Sequence, residues 1–277
     1  MRTLLEVLER GTEYLSKHGI EDARLNMQLL LGHHLALNRM QLYLNYDRPL
    51  SDEELEPIRV SLKKRSQRIP LQHLLGSVEF HGREFKSDER ALIPRPETEE
   101  LVSLILSEQI NSPTRFIDVG TGSGVIGITL AEKLPEVAEA QLADFSPSAL
   151  ALARENAAEL GNGVKFIESD LLASIEGSFD LIVANLPYIP DTEKDRMEPE
   201  LSHDPGAALF SGADGLNHLR RLIADAPRFL NPGGLLALEI GHDQGAAVTT
   251  LLEQAGLREI TLHSDLSGIP RFPFARK

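Results

Sequence analysis

The sequence predicts an α/β protein: a doubly wound, mostly parallel sheet in the larger C-terminal part, with a small helical domain ahead of it. Three observations carry this reading. Short apolar runs alternate with helix-patterned stretches from residue 115 onward, the first run ends in a glycine-rich turn, and the first 75 residues show helical periodicity alone.

In the helical part, Leu4, Leu5, Leu8 and Leu15 recur at helical spacing, as do Leu25, Leu29, Leu30 and Leu37. Ser51 and Glu54 form a capping-box pattern that opens a helix reaching about Gln67, and Pro70 is expected to close it. His33 and His34 fall in an apolar helix and read as structural. The basic cluster Lys63, Lys64, Arg65 and Arg68 is the best candidate for a local basic patch, but reads first as a solvated helix face. Val78, Phe80 and Phe85 flank His81-Gly82 in a hairpin pattern. The expected boundaries are therefore 1–75 for the helical domain, 76–93 for a linking hairpin and 94–277 for the larger domain.

Pro94-Arg95-Pro96-Glu97-Thr98-Glu99-Glu100 starts a helix, with proline in the first turn and acids at the positive end of the helix dipole. Strands are expected at 116–119, 141–143, 164–167, 181–184, 235–239 and 259–263. A helix over 147–160, opened by Ser146-Pro147 and closed by Gly161, is the clearest of those between them, and 271–275 reads as an added antiparallel strand.

With 277 residues, 42% of them hydrophobic, the chain can build a real core. It has no cysteine, which excludes a disulfide scaffold, zinc–thiolate and iron–sulfur sites, and a cysteine nucleophile. The longest uncharged stretches, such as 25–38, fall short of the roughly 18–20 residues a bilayer span needs. Glu6 and Glu9 among the first leucines argue against a signal peptide, so a soluble cytoplasmic protein is expected. The formal net charge of −14 divides into +1 for residues 1–75 and −15 for the rest. An acidic larger domain is poorly suited to neutralising phosphates.

The first chemistry-bearing motif is Asp118-Val119-Gly120-Thr121-Gly122-Ser123-Gly124, between the first strand and a helix. Glycines there let backbone approach a ligand, and the helix offers free N–H groups. Gly122, Gly124 and Gly127 also satisfy the dinucleotide pattern, so NAD competes at this point. Asp144, 20 residues after Gly124, stands where an acid can accept hydrogen bonds from both ribose hydroxyls of an adenosine-containing cofactor. Asp170, after the third strand, stands where an adenine amino group could be read.

The fourth strand ends Asn185-Leu186-Pro187-Tyr188 at the carboxyl edge of the sheet, where such folds bind ligands. This motif, downstream of the glycine loop, suggests methyl transfer to a planar nitrogen. An amide or arylamine nitrogen delocalises its lone pair and attacks a sulfonium methyl poorly. The Asn185 side-chain oxygen and the Leu186 carbonyl can accept its two N–H hydrogens, fixing the nitrogen and favouring its pyramidal form. Pro187 stiffens the turn and Tyr188 can pack against the planar group. No strong base is needed, because the nitrogen becomes acidic once methylated. His203, Asp204 and His242 read as loop or surface residues.

On these residues the chain resembles the HemK/PrmC family of S-adenosylmethionine-dependent glutamine methyltransferases, which modify peptide chain release factors. The resemblance spans nearly the whole sequence. It runs through 69–76 (IPLQHLLG), 80–85 (FHGREF), 92–99 (LIPRPETE), the glycine loop, the Asn-x-Pro-Tyr motif, 208–215 (ALFSGADG) and 265–271. The Pro-Arg-Pro-Glu-Thr-Glu segment discriminates most, since the related ribosomal-protein glutamine methyltransferases usually differ there. The resemblance implies a class I, Rossmann-like methyltransferase fold. It implies N5-methylation of the glutamine in the Gly-Gly-Gln loop of class 1 release factors, with S-adenosyl-L-methionine as methyl donor and the helical domain helping to bind the release factor. By the same carry-over, Gly120, Thr121, Gly122, Ser123, Gly124, Asp144, Asp170, Leu171 and Asn185 hold the cofactor. Asn185, Leu186, Pro187 and Tyr188 hold the glutamine, and Asn185, Pro187 and Tyr188 are the catalytic set. Glu97 and Thr98 would lie near the cofactor, with roles the sequence does not assign, and no metal is required.

Two residues depart from the family pattern. Leu186 stands where proline is usual, giving the Asn-Leu-Pro-Tyr also found in ribosomal RNA adenine dimethyltransferases. That keeps an adenine-N6 methyltransferase acting on RNA or DNA as the alternative. Its position mainly donates a backbone carbonyl, which leucine supplies equally. Leu171 stands where some relatives carry an aromatic against the adenine. The expected partners are class 1 release factors, without stable nucleic-acid binding or a membrane, and the expected state is a monomer.

Overall fold

The computed structural model describes residues 2–112, 114–158 and 163–277, apart from the side chains of 195 and 196. Thr3 starts the first helix: its hydroxyl accepts from Glu6 N at 3.3 Å, and the Glu6 carboxylate accepts from Thr3 N at 3.1 Å. The order is β1 (Arg2–Thr3), α1 (Leu4–Lys17), α2 (Ala23–Leu35), α3 (Arg39–Leu44), β2 (Pro49–Leu50), α4 (Asp52–Ser66) and α5 (Leu71–Leu75), with β1 antiparallel to β2. Leu4, Leu8, Leu15, Met27, Leu31 and Ile58 form one buried core. The Ser51–Glu54 capping box is present at the start of α4.

Three local expectations are corrected here. Leu37 lies beyond α2, which ends at Leu35 and is capped by Ala36 in the left-handed region. Pro70 does not close α4: the helix is capped by Gln67, Arg68 takes φ +69°, and Pro70 instead caps α5. Arg65 is not on a solvated face. It is buried, donating from Nε to Asn26 Oδ1 (2.8 Å), from Nη1 to the Ile69 carbonyl (3.2 Å), and from both Nη atoms to Glu200 Oε1 (3.1 Å).

The chain divides into two units, residues 1–77 with 198–203, and 78–197 with 204–277. Glu200 thus falls with the helices, and the expected linker hairpin falls, from residue 78 on, with the second unit. That hairpin, β3 (Ser77–Phe80) and β4 (Arg83–Lys86), turns through His81 at φ +52° and Gly82 at +79°, the left-handed pair that matches strand twist. Asn156 ties it inward, accepting from Lys86 N at 2.8 Å and donating to the carbonyls of Lys86 (3.1 Å) and Ser123 (2.9 Å).

The remaining elements are α6 (Pro96–Ser107), β5 (Thr114–Val119), α7 (Val125–Lys133), β6 (Val137–Asp144), α8 (Pro147–Asn156), β7 (Val164–Glu168), β8 (Phe179–Asn185), α9 (Asn217–Phe229), β9 (Leu230–Glu239), α10 (Gly245–Gln254), β10 (Arg258–Ser264) and β11 (Pro270–Arg276). The helix expected over 147–160 ends earlier, at Asn156, and its expected stop at Gly161 lies outside the described residues. The sheet order is β10-β11-β9-β8-β5-β6-β7, parallel from β9 to β7 and antiparallel at β11. The strand expected at 271–275 is therefore interior, between β9 and β10. Neighbouring residues feed opposite cores: Phe116, Leu181, Val183 and Leu235 pack on the α6–α7 side, while Ile117, Ile182, Ala184 and Leu236 pack with Leu219, Leu222 and Val248. With both faces covered, ligands are left the carboxyl ends of the strands, where β5 is flanked by β6 on one side and β8 on the other. Among the described residues, no helix is long and apolar enough to cross a membrane.

Candidate active site

Beyond Val119 the chain turns through Gly120, with φ +74°, and Gly122, with φ +57°, a region side chains with a Cβ rarely adopt. Crowding adds a second reason at Gly120, where a Cβ would sit 2.7 Å from Leu186 Cδ2. Beneath the turn, Asp118 is fully buried. Its Oδ2 accepts from the Thr121 hydroxyl (2.6 Å) and Gly127 N (2.9 Å), and burial pushes the carboxyl up to about 7. The sequence places Asp118 in the motif without giving it this supporting role.

Asp144, at the end of β6, accepts from Gly122 N with Oδ2 and from Ser146 N with Oδ1, both at 2.8 Å. Burial raises its pKa against those backbone donors. Each carboxylate oxygen keeps a lone pair for a further donor. A cleft opens here, lined by Gly120, Thr121, Gly122, Ser123, Asp144, Asp170, Leu171, Asn185, Leu186 and Pro187, all expected from the sequence. Leu171 takes φ +53° and is buried. Asp170 Oδ2 accepts from Arg221 Nη2 at 2.7 Å, and that guanidinium holds its carboxyl below the usual range.

Two expected residues do not line the cleft. Gly124 stands behind the loop, where a Cβ would meet Ile128 Cδ1 at 2.8 Å and Ala153 Cβ at 3.2 Å. Tyr188 is partly buried, with its carbonyl accepting from Gln244 Nε2 at 2.9 Å. Its hydroxyl is pushed up to about 12 by burial and by Glu239. Asp204, expected in a loop or at the surface, is buried, and burial pushes its carboxyl up to about 6 against the nearby Arg95.

Sequence reading missed other residues. Phe145 lines the cleft while 71% exposed, an unusual cost for a large aromatic. Its signal is its place directly after Asp144. His218 also lines the cleft, its Nδ1 2.7 Å from the Ser211 hydroxyl. Glu239 ends β9 directly opposite Asn185, fully buried, and burial pushes it up to about 7. Thr98, which the resemblance set near the cofactor without a role, does line the cleft and bridges the two: its hydroxyl is 2.8 Å from Glu239 Oε2 and 3.1 Å from Asn185 Nδ2.

Chemically, the cleft joins a bare glycine turn, an acid with spare lone pairs and an exposed ring, which suit an adenosine-bearing ligand. Beside them lie a carboxamide and a strand-end carbonyl, which suit a donor of two N–H groups. A model of the PrmC N-terminal domain matches residues 6–76, and one of the methyltransferase small domain matches residues 98–213. The release factor glutamine methyltransferase of Deinococcus radiodurans is 41% identical over 276 residues, covering 99% of this chain and 98% of its own length. That of Geobacter sulfurreducens is 39% identical over 271 residues, covering 97% and 95%. Among solved structures, a methyltransferase from Pyrococcus furiosus shares the fold with a TM-score of 0.53 at 16% identity, over 71% of this chain and 90% of its own. The chain belongs to the release factor glutamine methyltransferase family.

Proposed function

We propose that this protein methylates the N5 amide nitrogen of the glutamine in the Gly-Gly-Gln loop of class 1 release factors, using S-adenosyl-L-methionine. The observation that carries the reading is the pairing of Asn185 and Leu186 with the glycine loop in one cleft. The residues fit the cofactor: Gly120 and Gly122 leave backbone bare, Asp144 has lone pairs for the ribose hydroxyls, and the Phe145 ring is exposed beside them. Thr121, Ser123, Leu171 and Asp170 would complete its walls. When bound, S-adenosylmethionine supplies an electrophilic methyl group on a sulfonium sulfur.

The protein's own work is to hold the acceptor. The Asn185 Oδ1 and the Leu186 carbonyl would accept the two amide hydrogens, localising the nitrogen lone pair and aiming it into the cleft. Pro187 restricts the turn that carries that carbonyl. Tyr188 would close the acceptor side, among Glu239, Arg271, Arg95 and Glu97. The methylated nitrogen sheds one proton, so no buried base is required. The helical unit would help bind the release factor, in the cytoplasm and as a monomer.

An adenine amino group offers the same two hydrogens, but the near full-length relatives favour the glutamine amide. The test is transfer of labelled methyl to a release factor, to the same factor with its loop glutamine replaced, and to RNA. Label on the unmodified factor alone is expected. Equal labelling of both factors, or label on RNA alone, overturns the reading.

A further inference from the structure

A carboxamide can serve the acceptor only with its oxygen facing it, and the two ends of an asparagine amide are nearly identical in shape. Something must therefore choose between them. Thr98 Oγ1 lies 2.8 Å from Glu239 Oε2 and 3.1 Å from Asn185 Nδ2. A hydroxyl has one proton to donate. An ionised Glu239 has none, so it takes the Thr98 proton, and Thr98 can then only accept from its other neighbour. The end of Asn185 facing Thr98 is the NH2 group, which leaves Oδ1 accepting no bond among the described residues.

We propose that Thr98 and Glu239 are positioning residues for methyl transfer, a carboxylate–hydroxyl relay that presents the Asn185 oxygen to the acceptor amide. This rests on the reading of Asn185 as the acceptor-binding residue and adds one residue from α6 and one from β9. The arrangement is built into the fold, because sheet register sets Glu239 directly across from Asn185. Glu239 is 1% exposed, so it meets solvent and substrate only through the residues around it.

The relay also has a second setting. A protonated Glu239 donates to Thr98, which then turns its own proton toward Asn185 and selects the amide oxygen, reversing the carboxamide. Burial pushes Glu239 up to about 7, so the two settings exchange near neutral pH. Its neighbours are the Thr98 hydroxyl and the Asn185 amide, which both donate to it and lower it, so the carboxylate also holds the Asn185 NH2 end directly. Glu97 raises it, Arg271 lowers it, and Tyr188, itself flanked by Arg95, stands beside it. The Tyr188 hydroxyl, pushed up to about 12, stays neutral throughout this range.

Kinetics, calorimetry and NMR on the full chain test the relay. Thr98→Val keeps the shape and removes the hydroxyl; kcat for release-factor methylation is expected to fall by about 10- to 100-fold. The KM for the release factor and the affinity for S-adenosylhomocysteine, by calorimetry, should change less than about twofold. Thr98→Ser should recover most of the lost rate. In the wild type, kcat should decline toward acid with a midpoint near 7, and Glu239→Gln should abolish that limb between about pH 5.5 and 8.5. The side-chain NH2 resonances of Asn185, followed by NMR, should shift over the same range in the wild type and not in Glu239→Gln.

A Thr98→Val enzyme as fast as the wild type, a Ser variant no better than Val, or an acid limb that survives Glu239→Gln overturns the relay. Should Thr98→Val fail to fold, the Ser and Gln variants decide. A wild type that transfers no methyl to release factor overturns the proposed function instead, and the resonances still judge the relay.

Discussion

Gly120 and Leu186 are packed against each other: a Cβ on Gly120 would stand 2.7 Å from Leu186 Cδ2. They follow neighbouring parallel strands, so the turn that would hold the methyl donor and the turn that would hold its acceptor form one surface. Moving one moves the other. Gly120→Ala adds strain at φ +74° to this clash, and is expected to lower stability by about 1–3 kcal/mol. Calorimetry and kinetics on the same variant should find cofactor affinity and turnover both reduced. Loss of cofactor affinity with normal turnover at saturation would show the two turns to be independent.

Asn185→Ala separates the two ligands. Turnover is expected to drop by about 10²- to 10³-fold, the scale for one aligned polar partner of a transition state. Affinity for S-adenosylhomocysteine should stay within about twofold. Isothermal titration beside steady-state kinetics checks both, and a collapse of cofactor binding would leave Asn185 with the cofactor role that the resemblance also implies, in place of the acceptor one.

Asp144→Ala should show the opposite pattern. Its carboxylate accepts two backbone N–H groups and retains capacity for the ribose hydroxyls. Losing charge-assisted bonds of about 1.5–3 kcal/mol weakens cofactor binding by roughly 10- to 100-fold. Turnover at saturating cofactor should suffer less than in Asn185→Ala.

Arg65 has a purely structural test. It is buried and satisfies Asn26, Ile69 and Glu200 together. Arg65→Ala strands Asn26 Oδ1 and the Ile69 carbonyl, leaves Glu200 to Arg68 alone, and is expected to cost the helical unit about 2–4 kcal/mol in urea unfolding. Arg65→Lys should not restore it, since an ammonium cannot reproduce the fork that reaches three partners. Full rescue by lysine would mean that charge alone matters.

Asp118 gives stability a definite dependence on pH. Its folded-state pKa, about 7, lies above the unfolded value of about 3.9, so the fold holds the proton more tightly. Its contribution is fully present below about pH 4 and is lost as pH rises through about 7. Asp118→Asn removes that titration. On passing from about pH 5 to about pH 8, the variant should gain stability relative to the wild type. An unchanged gap at the two pH values would show that Asp118 ionises freely in the fold.

Much of the sheet and the glycine loop was legible because periodicity and turn chemistry are local. Strand cores at 116–119 and 181–184 need only their apolar runs, and the carboxyl-edge rule then locates Asp144 and Asn185. The relay was not legible. Thr98 and Asn185 are 87 residues apart, Thr98 and Glu239 141 apart, and only strand register unites them. Arg65 sits in a basic run whose other members resemble it in every local respect. Phe145 reads as a stray surface aromatic until Asp144 beside it is seen to line a cleft. Pairing order was equally hidden, since nothing in 271–275 says that it enters between two strands rather than joining an edge.

That insertion governs the timing of assembly. Until Pro270–Arg276 has been synthesised, β10 has no partner through which to reach the sheet, and Leu235–Ala237 of β9 present an open edge able to pair with another chain. The β11–β9 contacts join this strand to residues made well before it, a non-local step that slows folding. A nascent chain therefore passes through a vulnerable interval between the synthesis of β9 and that of β11. A chain interrupted before residue 270 would be caught there, with its acceptor corner lacking Arg271 and its sheet exposed to aggregation.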